Sequence, residues 1–97
     1  MKILSEIQKQ IKEIGFTQVE NYNYFGYVRE TPSAIIISRE DGADTAISLT
    51  KIFEGIEAVK ADKNIYDGGP RMLRKSGIKF IESPLWALLH LVPKSEY

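Results

Sequence analysis

The sequence predicts an α+β fold: an N-terminal helix, a three-stranded antiparallel meander, a second helix, a short strand and a C-terminal helix. Three observations predict it. Apolar residues recur at helical spacing near the start, and the middle is rich in aromatic and β-branched residues broken by turn signals. A Ser-Pro step then opens an apolar run near the end. No repeat, low-complexity tract or linker interrupts the chain, so we expect residues 1–97 to form a single compact domain.

The first predicted helix covers residues 3–14, where four apolar side chains recur every three or four positions: Leu4, Ile7, Ile11 and Ile14. This spacing puts all four on one face, which we expect to lie in the core. Gly15 follows directly, and a glycine just after the last periodic residue is a common helix terminator.

The meander is predicted from strand composition and from two turn signals. Pro32 separates its first two strands, and the sequence Glu40-Asp41-Gly42 is typical of the turn between the second and third. The predicted strands cover residues 22–29, 34–39 and 44–49. Among their apolar side chains, Ile36 and Ile47 are predicted to be buried.

A second helix is predicted over residues 51–61, with Thr50 as its N-cap and Ile52 and Ile56 on its apolar stripe. Residues 61–70 are predicted to be a loop. One or two helical turns follow over residues 70–75, and Gly77 ends them.

The short strand is predicted over residues 78–81, where bulky apolar side chains dominate. Ser83 and Pro84 then begin the last helix as N-cap and first helical residue, and this helix carries Trp86 into the core. Residues 94–97 are predicted to be a frayed tail.

Composition narrows the class of protein. The chain is 43% hydrophobic and 27% charged, as in an ordinary globular domain, and its 13 basic and 13 acidic residues cancel. The absence of cysteine excludes a disulfide framework and a thiolate metal site, and it fits a reducing compartment. The start of the chain does not resemble a signal peptide, and the apolar run over residues 85–92 is too short to span a membrane. We therefore expect a cytoplasmic protein without a membrane partner.

Catalytic signatures are missing from the sequence. It contains no nucleophile elbow, phosphate-binding loop, zinc pair or dinucleotide fingerprint. His90 is the only imidazole and has no candidate catalytic partner nearby. The acidic residues Glu40, Asp41 and Asp44 are typical of a solvated turn and lack the distal glutamate of a calcium loop. We expect neither an enzyme nor a bound metal or cofactor, and a small hydrolase or nuclease is the least favoured reading.

Binding surfaces are better supported. The segment from Arg71 to Lys79 contains four basic residues and no acidic one, although charge runs often form only a solvated face. The tyrosine-rich strand, which contains Tyr22, Tyr24, Phe25 and Tyr27, is a second candidate, because exposed aromatic side chains stack on bases or anchor a protein partner, although core packing is the alternative explanation. The candidate partner-binding residues are Arg71, Arg74, Lys75, Lys79, Tyr24 and Tyr66.

These observations favour a non-enzymatic module that binds another protein, as an adaptor or an inhibitor; an inhibitor carried by a mobile element would fit the small size. The alternative is a nucleic-acid-binding protein that uses residues 71–79 with aromatic stacking. A homodimer is also possible, through a sheet edge or the tyrosine-rich strand.

Overall fold

The chain folds into a helix, a four-stranded sheet and a helical second half in the computed structural model, which describes residues 2–97. Its elements in chain order are α1 (Lys2–Ile14), β1 (Phe16–Thr17), β2 (Phe25–Thr31), β3 (Ala34–Arg39), β4 (Thr45–Ser48), α2 (Leu49–Ala61), α3 (Asn64–Gly68), a first 3₁₀-helix (Pro70–Ser76), α4 (Glu82–Leu89) and a second 3₁₀-helix (Lys94–Glu96). The predicted α+β class, with its first helix and its meander, is confirmed.

The sheet is antiparallel with the strand order β1-β2-β3-β4. Its last three strands are the predicted meander, although β2 begins at Phe25, three residues later than expected. The short strand lies at β1, where Phe16 is opposite Gly26, and not at residues 78–81. Because β3 is an interior strand, its isoleucine-rich sequence is not available for pairing with another chain.

Helices cover one face of the sheet and enclose one core. Its side chains include Phe25, Ile35 and Ile37 from the sheet, and the helices close over them. The other members are Ile7, Ile11, Ile47, Ile52, Ile56, Val59, Ile65, Leu73, Ile78, Leu85, Trp86, Ala87, Leu88, Leu89 and Val92. The burial predicted for the second helix face and for Trp86 is therefore confirmed.

Three of the predicted core residues are less buried than expected. Ile14 is 49% exposed because α1 ends there and Gly15, at φ 88°, turns the chain away. Leu4 is only half-buried, near the start of α1. Ile36 is also half-buried, because it pairs with Arg29 on one side and Ala46 on the other, on the sheet face opposite to Ile35 and Ile37.

Glycines and caps fix the remaining boundaries. Gly77, at φ 84°, ends the first 3₁₀-helix as predicted. Helix α2 starts earlier than predicted, because the hydroxyl of Ser48, and not Thr50, accepts the N–H of Lys51 at 3.1 Å. Helix α4 begins at Glu82, so that Ser83 is already helical and is not its cap.

The C-terminal residues are ordered, against the prediction of a frayed tail. The Tyr97 hydroxyl donates to the carbonyl oxygen of Leu89 at 2.7 Å, and Lys63 Nζ donates to Tyr97 O at 2.7 Å. Residues 61–70, predicted to be a loop, contain α3. Among residues 2–97, no helix combines the length and apolar character needed to cross a membrane.

Candidate functional site

The first 3₁₀-helix and the loop after it form one wall of a surface groove of about 490 Å³. The start of α4 forms the other wall. Leu73, in the 3₁₀-helix, and Ile78, in the loop after it, are buried and hold the first wall against the core. The residues that line the groove, called the basic groove below, are Pro70, Arg71, Arg74, Lys79, Phe80, Glu82 and Ser83.

The basic groove brings together three of the four predicted basic residues. Arg71 and Lys79 are exposed, and the Arg74 side chain is 62% exposed while its guanidinium pairs with Glu82. Lys75 is also exposed but does not line the groove. The groove therefore contains three cations and one carboxylate. Of these three cations, Arg74 is paired, whereas Arg71 and Lys79 form no ion pair with any of residues 2–97.

Glu82 organises one wall of the groove from the first turn of α4. It is only 7% exposed, and its carboxylate accepts a hydrogen bond from Arg74 Nε. The nearby backbone N–H groups of Phe80 and of Glu82 itself act on its pKa as two further donors. Burial alone would raise its pKa, but the Arg74 hydrogen bond and charge and the two backbone donors outweigh burial and lower the pKa of Glu82. The carboxylate is therefore ionised at neutral pH and holds Arg74 in place.

Phe80 is the most unusual residue of the groove. Its side chain is 89% exposed, and its φ of 71° lies in the left-handed region. A residue with a Cβ pays roughly 1–2 kcal/mol for this conformation. Such a conformation persists only where the surroundings enforce it.

The surroundings of Phe80 enforce it from two sides. Its N–H lies near the Glu82 carboxylate, and its carbonyl oxygen accepts a hydrogen bond from Arg39 Nη2 of β3 at 3.4 Å. Arg39 is itself fixed, since its Nε donates to Thr45 Oγ1 at 2.8 Å and its guanidinium lies 5.9 Å from the ring centroid of Phe25. The exposed ring is thus carried on a backbone tied to both the sheet and α4.

Tyr24 lies outside the groove, on the open face of the sheet. Its ring stacks on Phe16, with centroids 5.3 Å apart and planes at 14°, and it lies over Gly26, where a Cβ would come within 3.5 Å of it. Its N–H donates to Glu40 Oε1 at 2.6 Å. At 40% exposure, Tyr24 presents an aromatic surface, but on a different part of the molecule from the basic residues.

Tyr66 also lies outside the groove and packs inside the C-terminal half. Its ring stacks on His90 at 3.9 Å, and its hydroxyl donates to the carbonyl oxygen of Val92 at 2.8 Å. Burial, together with the nearby Asp67 carboxylate, raises the pKa of Tyr66. These contacts account for the side chain as part of the packing that holds the end of the chain.

No metal centre is built by these residues. Across residues 2–97, no three histidine, cysteine, aspartate or glutamate side chains lie together in an arrangement that could hold a metal ion. In the acidic β3–β4 turn, Glu40 is instead used to bind the backbone of Tyr24.

A second cavity of about 660 Å³ lies between α1, the end of α2 and the C-terminal segment. Its charges balance, since Lys2 and Lys60 are matched by Glu6 and Glu96, and Glu6 already accepts a hydrogen bond from Gln10 at 2.6 Å. This cavity has no net charge, and none of its lining side chains is a buried polar group without a hydrogen-bond partner, so nothing in it favours one kind of ligand. The basic groove is therefore the better candidate.

Sequence reasoning placed the cations but not the features that organise them. Phe80 supports a binding surface already in the sequence, as an aromatic residue beside the basic run, but its left-handed conformation within a predicted strand is not expected, and no local pattern indicates the role of Glu82. Comparison with known protein families, curated proteins and solved structures finds no match for this chain. The geometry of the groove is therefore the basis on which a function can be argued.

Proposed function

We propose that this chain is a non-enzymatic module that binds another protein through the basic groove and acts as an adaptor or an inhibitor. The observation that carries the proposal is the juxtaposition of Arg71 and Lys79 with the exposed ring of Phe80 in one groove. Cations at the rim of an interface increase the association rate with an acidic partner, and a desolvated aromatic side chain supplies affinity.

A protein partner is favoured over a nucleic acid by the carboxylate in the groove. Glu82 lies within it and already neutralises Arg74, which leaves two unpaired cations. A phosphate backbone would meet the Glu82 charge, whereas a protein segment can place its own carboxylates at Arg71 and Lys79 alone.

Nucleic-acid binding stays the second candidate because one observation favours it. An aromatic ring as exposed as Phe80, next to two unpaired cations, could stack on a base while the cations contact phosphates. Self-association through a sheet edge also stays a prediction, and the available edges are those of β1 and β4.

The test uses two defined probes. Random peptides displayed on phage are selected on the immobilised chain, and labelled single-stranded oligothymidylate is titrated by fluorescence anisotropy. We expect the selected peptides to be rich in aspartate and glutamate, and we expect their affinity to fall in Arg71→Glu and in Lys79→Glu. Lys75→Glu is the matched control, because it makes a similar change in charge on the same 3₁₀-helix outside the groove.

Arg74 is a poor choice for this test, since its reversal would leave the buried Glu82 unpaired and destabilise the fold. Peptides without acidic enrichment, or equal affinity in all three charge variants, would contradict the proposal. Binding of oligothymidylate alone, with a log–log salt slope of roughly −1.4 for two phosphate contacts, would favour the nucleic-acid candidate instead.

A further inference from the structure

The Phe80 ring is far more exposed than the other large apolar side chains that the structure describes. Its 89% exposure compares with 49% for Ile14, the next most exposed large apolar side chain among residues 2–97. Water contact of a whole aromatic ring is unfavourable, and it is combined here with an unfavourable backbone conformation. Packing inside this chain does not explain the exposure of the ring.

We propose that Phe80 is the anchor of the interface: apolar side chains of an acidic protein segment cover its ring, while Arg71 and Lys79 meet carboxylates of the same segment. This inference rests on the proposed function, because it names the residue that supplies most of the affinity at that groove. The partner is thereby defined chemically, as a segment that combines acidic residues with bulky apolar ones.

Preorganisation supports the assignment. Arg39 donates a hydrogen bond to the carbonyl oxygen of Phe80, and the Glu82 carboxylate lies near its N–H, so the backbone that carries the ring is restrained before any partner arrives. An anchor that is already in place loses little conformational freedom on binding, and that loss is a main cost of association.

The charges around the ring define the rim. Arg71 and Lys79 line the groove with Phe80 and have no ion pair among residues 2–97, so both are free to meet a partner's carboxylates. In protein interfaces such a polar rim excludes water from the central aromatic residue, and this increases the contribution of that residue to the binding free energy.

The experiment measures the affinity of one acidic peptide, recovered by the phage selection, for Phe80→Ala and Phe80→Gly. Both variants remove the ring, but glycine adopts a φ of 71° without a steric penalty, so it keeps the loop conformation even if alanine does not. We expect each variant to lose about 30-fold or more in affinity, as for a central interface residue. Phe80→Trp should retain binding within about threefold, since it restores an aromatic ring.

Phe53→Ala is the matched control, because Phe53 is another exposed phenylalanine, on α2 and outside the groove. Its affinity should equal that of the parent chain. Thermal melts distinguish a lost contact from a lost fold: we expect Phe80→Gly to melt at or above the temperature of Phe80→Ala.

The outcomes separate the two proposals. If Arg71→Glu weakens binding but Phe80→Ala and Phe80→Gly bind as tightly as the parent, the anchor is elsewhere and the proposed function stands. If the selection returns no acidic peptides, both proposals fail. Loss of oligothymidylate binding in Phe80→Gly, with no peptide binding by the parent, would assign the ring to base stacking and overturn the protein anchor.

Discussion

Thr17 donates its hydroxyl hydrogen to the carbonyl oxygen of Ala87 at 2.7 Å, which joins the two-residue strand β1 to helix α4 across 70 positions of sequence. Thr17 is almost completely buried, so no water competes for this bond. The bond accounts for the position of a strand too short to be stable by its own pairing.

Replacing Thr17 with valine should lower the free energy of unfolding by about 1 kcal/mol, the usual net value of one hydrogen bond. The loss stays this small because the Ala87 carbonyl oxygen keeps a second donor, the N–H of His90 at 3.1 Å. Urea unfolding followed by circular dichroism measures it. The exposed Thr50→Val should change stability by less than about 0.5 kcal/mol, and an equal loss in both variants would contradict the role of the bond.

The two ends of the α1 apolar stripe should respond differently to truncation. Ile11 is fully buried, so Ile11→Ala should cost roughly 2–5 kcal/mol through lost burial and the remaining cavity. Ile14, at the exposed end, should cost less than about 1 kcal/mol on the same change. Chemical denaturation of both variants tests this, and similar losses would show that the helix is rotated or extended relative to the structure.

Gly77 should resist substitution although there is space around it. Apart from its chain neighbours, no residue comes within 4 Å of a Cβ placed there, but its φ of 84° is unfavourable for any residue with a side chain. Gly77→Ala should therefore cost roughly 1–2 kcal/mol. Gly42, equally open but without a left-handed φ, is the control, and Gly42→Ala should be neutral or slightly stabilising by thermal melting.

His90 should make stability depend on pH. Burial lowers its pKa below 6.5 and outweighs the Trp86 and Tyr66 carbonyl groups and the Asp67 charge, which act in the opposite direction. The unfolded chain thus binds the imidazole proton at a higher pH than the folded chain does. Stability should fall as the pH is lowered through 6.5 towards the folded pKa and change no further from this group below that value.

His90→Gln should remove this part of the pH dependence, and urea unfolding across the same range measures it. Glu82 is separate: its pKa is lowered, so its contribution to stability is lost only at pH values below the ordinary 4.5 of a glutamate. An unchanged pH profile in His90→Gln would show that another group titrates in the upper window.

The helix α1 and the meander could be predicted because their signals are local: a spacing of three and four, or strand residues between turn residues. The face of β3 could not be read in the same way. Three consecutive isoleucines, Ile35, Ile36 and Ile37, suit either face, and the choice is made by cross-strand partners such as Arg29 and Ala46.

The sequence predicts the basic residues of the groove but not the backbone conformation that arranges them. Residues 78–81 have the composition of a strand, but the hydrogen bond from Arg39, 41 positions away, helps to hold Phe80 in a left-handed conformation. Helix α4 likewise begins at Glu82, whose carboxylate accepts a hydrogen bond from Arg74, eight positions earlier. Contacts of this range leave no signal within a short window of sequence.

Trp86 is the only tryptophan of the chain, so its fluorescence reports on one place in the structure. Its indole N–H donates to the carbonyl oxygen of Ile65 at 2.8 Å, and the rings of Tyr22 and His90 lie 4.8 and 4.2 Å away. When excitation is limited to wavelengths that tyrosine does not absorb, the emission of this protein comes from the single indole of Trp86, which is only 3% exposed, and it shifts to longer wavelength when that site opens to water. A groove variant with unchanged emission has kept the packing of α4. Any loss of affinity in that variant is then due to the removed surface contact and not to a disrupted fold.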